Sequence, residues 1–396
     1  MSSDHPPLLI LGASTRAAAQ SAARAGFRPI CADCFADEDL REVAEVHQVS
    51  IENYPEGLVP VADSAPQCPW MYTGAMENYP RIVTQISRNR PLWGNSAEII
   101  ARSRDPLFTY ETLKSAGLPA PRYRSSDDPP PADGRWMLKP ERSGGGRGIR
   151  VWDESARDSR TLDEPHWFQE RAEGLSLAAI FVAMPERTIL VGVSRQLVGS
   201  EDGSGPAHGY SGSIAPCPLA DEVHGNVERM GSLLAQASGL RGIFGIDFLL
   251  DDVGPWPVDL NPRYTASVEV LEYAYDLPIM AWHAAAFGTD PARQRRCKPG
   301  PLRRFVGKSV LFAHADALIP PLANLFENHR PRDGAHEEFT ILADRPAVGE
   351  KIHAGKPICS VIVSGRSEAC CRERLGECVR MVRNAVWGDN RDVEFR

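Results

Sequence analysis

Two short segments near the middle of the chain carry carboxylates close to an amide. Asp247 lies in the apolar run 245–249, and Asp259 and Asn261 follow after a turn. Because side chains alternate along a strand, Asp259 and Asn261 point to the same face, and Asp247 joins them if the segments pair as a hairpin. Such oxygen ligands suit Mg²⁺ that bridges substrate phosphates. Arg263 comes directly afterwards, where its guanidinium could stabilise a developing anion. An acidic surface hairpin is the alternative, but it leaves this spacing without a reason.

A glycine-rich loop between two predicted strands is the second candidate site. The loop contains Ser143, Gly144, Gly145, Gly146, Arg147 and Gly148, and Lys139 lies on the strand before it. Glycines let the backbone fold closely over an anion and offer N–H groups to phosphate oxygens. Lys139 adds a positive charge. The loop lacks the G-x-x-x-x-G-K-[ST] pattern, so it is not a P-loop. By itself it is equally consistent with a flexible hairpin.

The elements around these segments predict three regions. Residues 1–100 alternate buried strands with helices, beginning with the apolar run 8–11 and an Ala-rich helix that ends at Gly26, and predict an open parallel α/β domain. Residues 101–290 predict an α+β region with antiparallel hairpins. Residues 301–396 predict a small C-terminal α+β domain with strands at 306–313 and 358–363 and a helix at 367–386.

Composition limits the classes of function. The chain has 396 residues and a net charge of −8, so the global basic field of a nucleic-acid-binding protein is absent. No apolar stretch is long enough to cross a membrane, and no signal peptide is recognised. Nine scattered cysteines, with Cys31-x-x-Cys34 lacking a second pair, indicate a reducing compartment rather than a zinc site. We therefore expect a cytoplasmic protein that binds neither nucleic acid nor membrane.

The ordered motifs K-P-x-x-S-G-G-G-R-G, F-Q-E-R-A-E-G, G-I-D-F and D-L-N-P-R resemble the signature of the ATP-grasp superfamily. The resemblance covers residues 101–290 and extends to the α/β domain before them. It implies a preceding Rossmann-like domain, a small lobe at about 101–170 and a large lobe at about 171–290. Within the superfamily, the segment after Arg263 is more similar to the carboxylate–amine ligases and the carbamoyl-phosphate-synthase-like group than to the biotin carboxylases.

The resemblance also implies roles for individual residues. Asp247, Asp259 and Asn261 would hold Mg²⁺, for which Mn²⁺ could substitute, and Arg263 would contact the acyl-phosphate. Two positions depart from the usual pattern, because Asp259 replaces a glutamate and Arg104 replaces a lysine, but neither change removes the charge. The residues expected to bind ATP are Arg104, Lys139, Ser143, Gly144, Gly145, Gly146, Gly148, Gln169, Glu170 and Glu173.

The expected activity is ATP-dependent activation of a carboxylate as an acyl-phosphate, followed by attack of an amine. Thr265, Ser267 and Glu269 are candidates for the acceptor site, although Ser267 fits the first turn of a helix equally well. The turn that contains Ser14 and Arg16 is expected to bind the carboxylate substrate. The substrates would be small molecules, and amino-acid ligation in cofactor biosynthesis is one hypothesis. A homodimer is the assembly we expect, because it is the commonest one.

Three alternatives remain open from the sequence. Bicarbonate could be the carboxylate, as in a carboxylase or a carbamoyl-phosphate-type enzyme. The chain could be a non-catalytic ATP-binding module. An acid about twenty residues after the first glycine turn, Asp33, also allows an NAD(P) oxidoreductase, although G-x-G-x-x-G is missing.

Overall fold

The computed structural model describes residues 5–156, 164–199, 205, 207–326 and 338–388. The first and last residues of the two predicted terminal domains, 1–4 and 389–396, therefore lie outside the described part. Among the described residues, no helix has both the length and the apolar composition that a membrane span requires.

The N-terminal region is a four-stranded parallel sheet in the order β3-β2-β1-β4, flanked by helices. Alternate residues of β1 enter different cores, because Leu8 and Ile10 pack on one face of the sheet and Leu9 and Leu11 on the other. The elements are β1 (Pro7–Leu11), α1 (Arg16–Arg24), β2 (Arg28–Asp33), α2 (Glu38–Arg41), β3 (Glu45–Gln48), α3 (Leu58–Ser64), β4 (Trp70–Tyr72), α4 (Pro80–Ser87) and α5 (Ala97–Ser103), with 3₁₀ turns at Ile51–Asn53 and Met76–Asn78.

A second, antiparallel sheet follows in the order β5-β8-β6-β7. It has its own small core, in which Trp136, Trp152 and Phe168 are buried. Its elements are α6 (Pro106–Ser115), β5 (Tyr123–Ser125), β6 (Asp133–Pro140), β7 (Arg150–Asp153) and β8 (His166–Glu170), and a 3₁₀ turn at Glu154–Ala156 follows β7. The glycine-rich loop connects β6 and β7.

The largest sheet has eight strands in the order β13-β12-β9-β10-β11-β14-β18-β16, all antiparallel. Its strands are β9 (Leu175–Ala183), β10 (Thr188–Val198), β11 (Tyr210–Ala215), β12 (Gly242–Leu250), β13 (Pro255–Asn261), β14 (Phe305–Phe312), β16 (Thr340–Ala343) and β18 (Pro357–Gly365). Its helices are α7 (Asp221–Ser238), α8 (Ala266–Tyr275), α9 (Ile279–Phe287), α10 (Pro291–Arg296) and α11 (Glu368–Trp387), and β15 (Ala317–Leu318) pairs with β17 (Lys351–Ile352).

The predicted fold class, a parallel α/β region followed by antiparallel α+β regions, is confirmed. The C-terminal strands β14, β18 and β16 nevertheless extend the same sheet as β9–β13, because β14 pairs with β11. The strand β11 was not predicted. The division of the chain into three domains stays a prediction.

Candidate active site

The hairpin β12–β13 brings the three predicted metal ligands together. Asp247 lies opposite Asp259 in the strand pairing, and the Asn261 side-chain amide donates to Asp247 Oδ2 at 3.2 Å. Gln196 on β10 donates to Asp247 Oδ1 at 2.8 Å. Burial and the nearby Asp259 carboxylate together raise the pKa of Asp247 to about 7. The cluster is therefore a pair of close carboxylates with an amide beside them.

Lys139 connects the two antiparallel sheets. Its ammonium group donates to Gln169 Oε1 at 2.9 Å and to the Val258 carbonyl on β13 at 2.6 Å. Burial lowers the pKa of Lys139, and the carboxylates of Asp259 and Asp247 act in the opposite direction. A cation is thus held between the glycine-rich loop and the carboxylate pair.

The glycine-rich loop lies over this cation in a tightly fitted conformation. Gly145, Gly146 and Gly148 have φ values of 61°, 78° and 77°, a region that favours glycine. A Cβ atom at Gly146 would lie only 2.0 Å from the His208 carbonyl oxygen. Asn78 of the N-terminal region donates to the Ser143 carbonyl at 3.2 Å. The loop therefore contacts both the segment just before β11 and the N-terminal region.

A cleft of about 640 Å³ opens beneath the loop. The residues predicted to bind ATP that line it are Arg104, Lys139, Ser143, Gly144, Gly145, Gly146, Gln169, Glu170 and Glu173. Glu170 accepts hydrogen bonds from Arg122, the shortest at 2.6 Å, and these lower the pKa of Glu170. Gly148 lies at the end of the loop, where a Cβ would meet the Pro140 ring at 2.9 Å.

Arg263 lies at the inner end of the cleft and is fixed by three oxygen atoms. Its Nη2 donates to Glu77 Oε1 at 2.6 Å and to Asn261 Oδ1 at 2.9 Å, and its Nη1 donates to the Tyr264 carbonyl at 3.1 Å. Burial alone would lower the pKa of Arg263, but Glu77 raises it above its ordinary value. The guanidinium therefore stays charged beside the carboxylate pair.

Glu77 is a cleft residue that the sequence reasoning missed. It belongs to the 3₁₀ turn after β4 and also lies 3.6 Å from Arg104 Nη1. The signal that could have found it is its position beyond the carboxyl end of a parallel strand, where sites in such sheets gather.

The predicted substrate residues divide into two groups. Thr265 and Ser267 line the cleft, and the Ser267 hydroxyl is 3.2 Å from that of Ser213. Ser14 is exposed and does not belong to the lining of the cleft, and its carbonyl oxygen accepts a hydrogen bond from the Thr73 hydroxyl at 2.8 Å.

Arg16 does not occupy the predicted position in the cleft. Its side chain is fully buried, pairs with both oxygens of Glu269 and donates to Asp344 at 2.8 Å. Burial would lower the pKa of Arg16, but these carboxylates raise it well above its ordinary value. A guanidinium that is enclosed and paired in this way is not available to a substrate, and its partner Glu269 is also fully buried and is not available to an acceptor. We therefore correct the predicted roles of Arg16 and Glu269 to a structural ion pair.

Asp33 is also used inside the protein. Its carboxylate accepts from the Thr15 hydroxyl at 2.8 Å and from the backbone N–H groups of Thr15, Phe35 and Ala36. With four donors already satisfied and no exposed surface, this carboxylate has no capacity left for the ribose of a dinucleotide. The geometry therefore argues against the NAD(P) alternative.

Comparison with known proteins finds a family match for the region that contains most of the cleft. Residues 103–267 match the model of the ATP-grasp domain. An uncharacterised protein of Methanocaldococcus jannaschii is 24% identical over 394 residues, which covers 93% of this chain and 91% of the relative.

Several solved structures share the fold at low sequence identity. The L-amino acid ligase from Bacillus licheniformis has a TM-score of 0.69 and 16% identity, with 95% of this chain and 98% of the ligase covered. The biotin carboxylase domain of the Hydrogenobacter thermophilus 2-oxoglutarate carboxylase, solved with MgADP and bicarbonate, has a TM-score of 0.71 and 14% identity, with 98% and 91% covered. The longer Rhizobium etli pyruvate carboxylase has a TM-score of 0.72 and 14% identity, with 95% of this chain but 37% of that enzyme covered.

Proposed function

We propose that the chain, whose residues 103–267 match the ATP-grasp domain, is an ATP-dependent ligase that joins a carboxylate to an amine. The observation that carries the proposal is the cleft in which a glycine-rich loop, a lysine, a carboxylate pair and a fixed arginine meet. Together these groups can bind an anion, neutralise its charge and position the reactants, which are the tasks that phosphoryl transfer requires.

The nucleotide lies between the two antiparallel sheets in this proposal. The N–H groups of the glycine-rich loop and the ammonium of Lys139 bind the phosphates, and Arg104 adds a second cation. Gln169 and Glu170, on the strand that connects the lobes, face the base and ribose. The contacts of the loop with His208 and Asn78 close the cleft, which keeps water away from a reactive acyl-phosphate.

The donor set of Asp247, Asp259 and Asn261 fits a magnesium ion. Burial and, after it, the charge of Asp259 raise the pKa of Asp247, and a divalent cation would compensate the negative charge of both carboxylates. Mg²⁺ is usually held by one or two carboxylates together with substrate phosphates, which matches this donor set. When bound, Mg²⁺ would neutralise phosphate charge.

Arg263 stabilises the reacting carboxylate. The substrate carboxylate attacks the γ-phosphate of ATP, so that ADP leaves and an acyl-phosphate forms. The fixed guanidinium of Arg263 compensates the negative charge of the acyl-phosphate and of the tetrahedral intermediate that follows amine attack. Thr265 and Ser267, on the same side of the cleft, contact the acyl group. Phosphate then leaves and the C–N bond remains.

The experiment that tests this function measures ADP and hydroxamate together. The chain is incubated with Mg-ATP, hydroxylamine as a trapping nucleophile, and in turn L-amino acids, dicarboxylates or bicarbonate. We expect one class of organic carboxylate to give ADP and hydroxamate in equal amounts. Asp247→Asn should lower the rate about 100-fold or more, whereas Asp252→Asn, in the exposed turn of the same hairpin, should leave it unchanged.

The other outcomes separate the alternatives. ADP release that depends on bicarbonate alone would replace the ligase proposal with a carboxylase. Binding of Mg-ATP without ADP release in the presence of any carboxylate would identify a non-catalytic module.

A further inference from the structure

Glu77 connects the N-terminal region to cationic groups on both sides of the cleft. Its Oε1 accepts from Arg263 Nη2 at 2.6 Å and lies 3.6 Å from Arg104 Nη1. The Glu77 side chain is 1% exposed and that of Arg263 is 12% exposed. A charge-assisted bond in so enclosed a place fixes the guanidinium more firmly than an exposed ion pair does.

The ion pair between Glu77 and Arg263 uses one carboxylate oxygen and one guanidinium nitrogen. Glu77 Oε2 and Arg263 Nε are both buried without a hydrogen-bond partner among the described residues. The Nη groups of Arg263 are engaged by Glu77, Asn261 and Tyr264. Because protein atoms enclose Nε, the direction of the guanidinium depends on its Nη contacts, of which the bond to Glu77 is the shortest.

We propose that Glu77 is the positioning residue for Arg263, and that it holds the guanidinium in the orientation that stabilises the acyl-phosphate. The inference rests on the proposed ligase function and adds to it a contribution from the N-terminal region. Glu77 acts through Arg263 and takes no proton and no substrate contact of its own.

The test is a double-mutant cycle on hydroxamate formation, with the carboxylate that supports the reaction and hydroxylamine as the nucleophile. Glu77→Ala should lower kcat about 100-fold, because one charge-assisted bond to Arg263 is lost. Glu77→Gln keeps an acceptor oxygen and should lose only about 10-fold. In an Arg263→Lys background, Glu77→Ala should cost less than about threefold, because there is no guanidinium left to position.

Two further measurements separate positioning from a role in folding. The KM for ATP and the thermal shift produced by Mg-ADP should stay unchanged in Glu77→Gln, because the glycine-rich loop and Lys139 are intact. The control Glu56→Ala removes an exposed glutamate that pairs with Arg81 in the same region and should leave kcat unchanged.

An equal loss of kcat by Glu77→Ala in both backgrounds would overturn the inference, as would a Mg-ADP shift that disappears in Glu77→Gln. A wild-type chain that forms no hydroxamate with any carboxylate would instead refute the ligase function itself, and the inference would fall with it.

Discussion

The buried ion pairs at Glu269 allow a quantitative prediction about stability. Glu269 lies on α8 with a fully buried side chain, pairs with Arg16 of the N-terminal region and accepts from Lys308 on β14 at 2.8 Å. Burial alone would raise its pKa, but Arg16 and Lys308 lower the pKa of Glu269 from 4.5 to about 2. A carboxylate whose pKa is lower in the folded protein than in the unfolded chain stabilises the fold when the pH is above its unfolded-state pKa. This stabilisation is lost as the pH falls through its folded-state pKa.

The size of the effect follows from that shift. A pKa lowered from 4.5 to about 2 corresponds to about 3 kcal/mol of unfolding free energy at neutral pH. This agrees with the roughly 3–5 kcal/mol lost when one partner of a buried ion pair is removed. Glu269→Gln should therefore lower Tm by about 6–12 °C if it unfolds with a cooperative unit of roughly 150–250 residues, which shifts about 2–4 °C per kcal/mol. The measurement is thermal unfolding followed by tryptophan fluorescence at several pH values between 5 and 8, over which the decrease should be constant.

Glu272→Gln is the matched control, three residues further along the same helix. Burial raises the pKa of Glu272, and its partner Arg24 is 37% exposed. Replacement by a neutral amide should therefore cost less than Glu269→Gln, because Arg24 can regain water. Equal decreases in Tm for the two variants, or no decrease for Glu269→Gln, would refute the reasoning.

Three further predictions concern the cleft and its surroundings. Lys139→Ala should weaken Mg-ADP binding about 10-fold or more in a calorimetric titration, because the cation held by Gln169 is lost, and an unchanged Kd would contradict its phosphate role. Gly146→Ala should raise the KM for ATP, since its Cβ would lie 2.0 Å from a carbonyl oxygen. Gly225→Ala on α7, outside the loop, meets nothing within 4 Å and should leave the KM unchanged. Equal KM values for the two variants would contradict the tight fit of the loop. Burial and the neighbouring Asp344 carboxylate raise the pKa of Asp37 from 3.8 to about 9, so this group destabilises the fold increasingly as the pH rises between those values. The stability of Asp37→Asn relative to wild type should therefore grow by about 1.4 kcal/mol per pH unit between pH 5 and 8, and parallel profiles in thermal unfolding would contradict this.

The parts of the site that depend on local periodicity could be predicted from the sequence. Asp247, Asp259 and Asn261 share a face because two strands with a period of two pair as a hairpin over a short turn. Lys139 and the glycine-rich loop follow from their position between two strands. Each of these features is decided within about twenty residues of chain.

The parts that depend on distant contacts could not be predicted. Glu77 gains its role from a contact with Arg263, 186 positions away, and Arg16 is enclosed by groups that arrive from α8 and from Asp344. The polar strand β11 shows no strong apolar alternation, and it is defined by pairing with β10 on one side and β14 on the other. In each case the deciding neighbour is set by the tertiary fold.

Thermal unfolding with added nucleotides tests the central claim most directly. The chain would be unfolded in buffer, with ADP and chelator, with Mg-ADP and with NADH. A ligand at about a hundred times its Kd stabilises by roughly 2.7 kcal/mol, which is readily measured. We expect Mg-ADP to raise Tm, and this rise should be smaller without Mg²⁺ and in Asp247→Asn. NADH should leave Tm unchanged. A chain that is stabilised by NADH and not by Mg-ADP would contradict it.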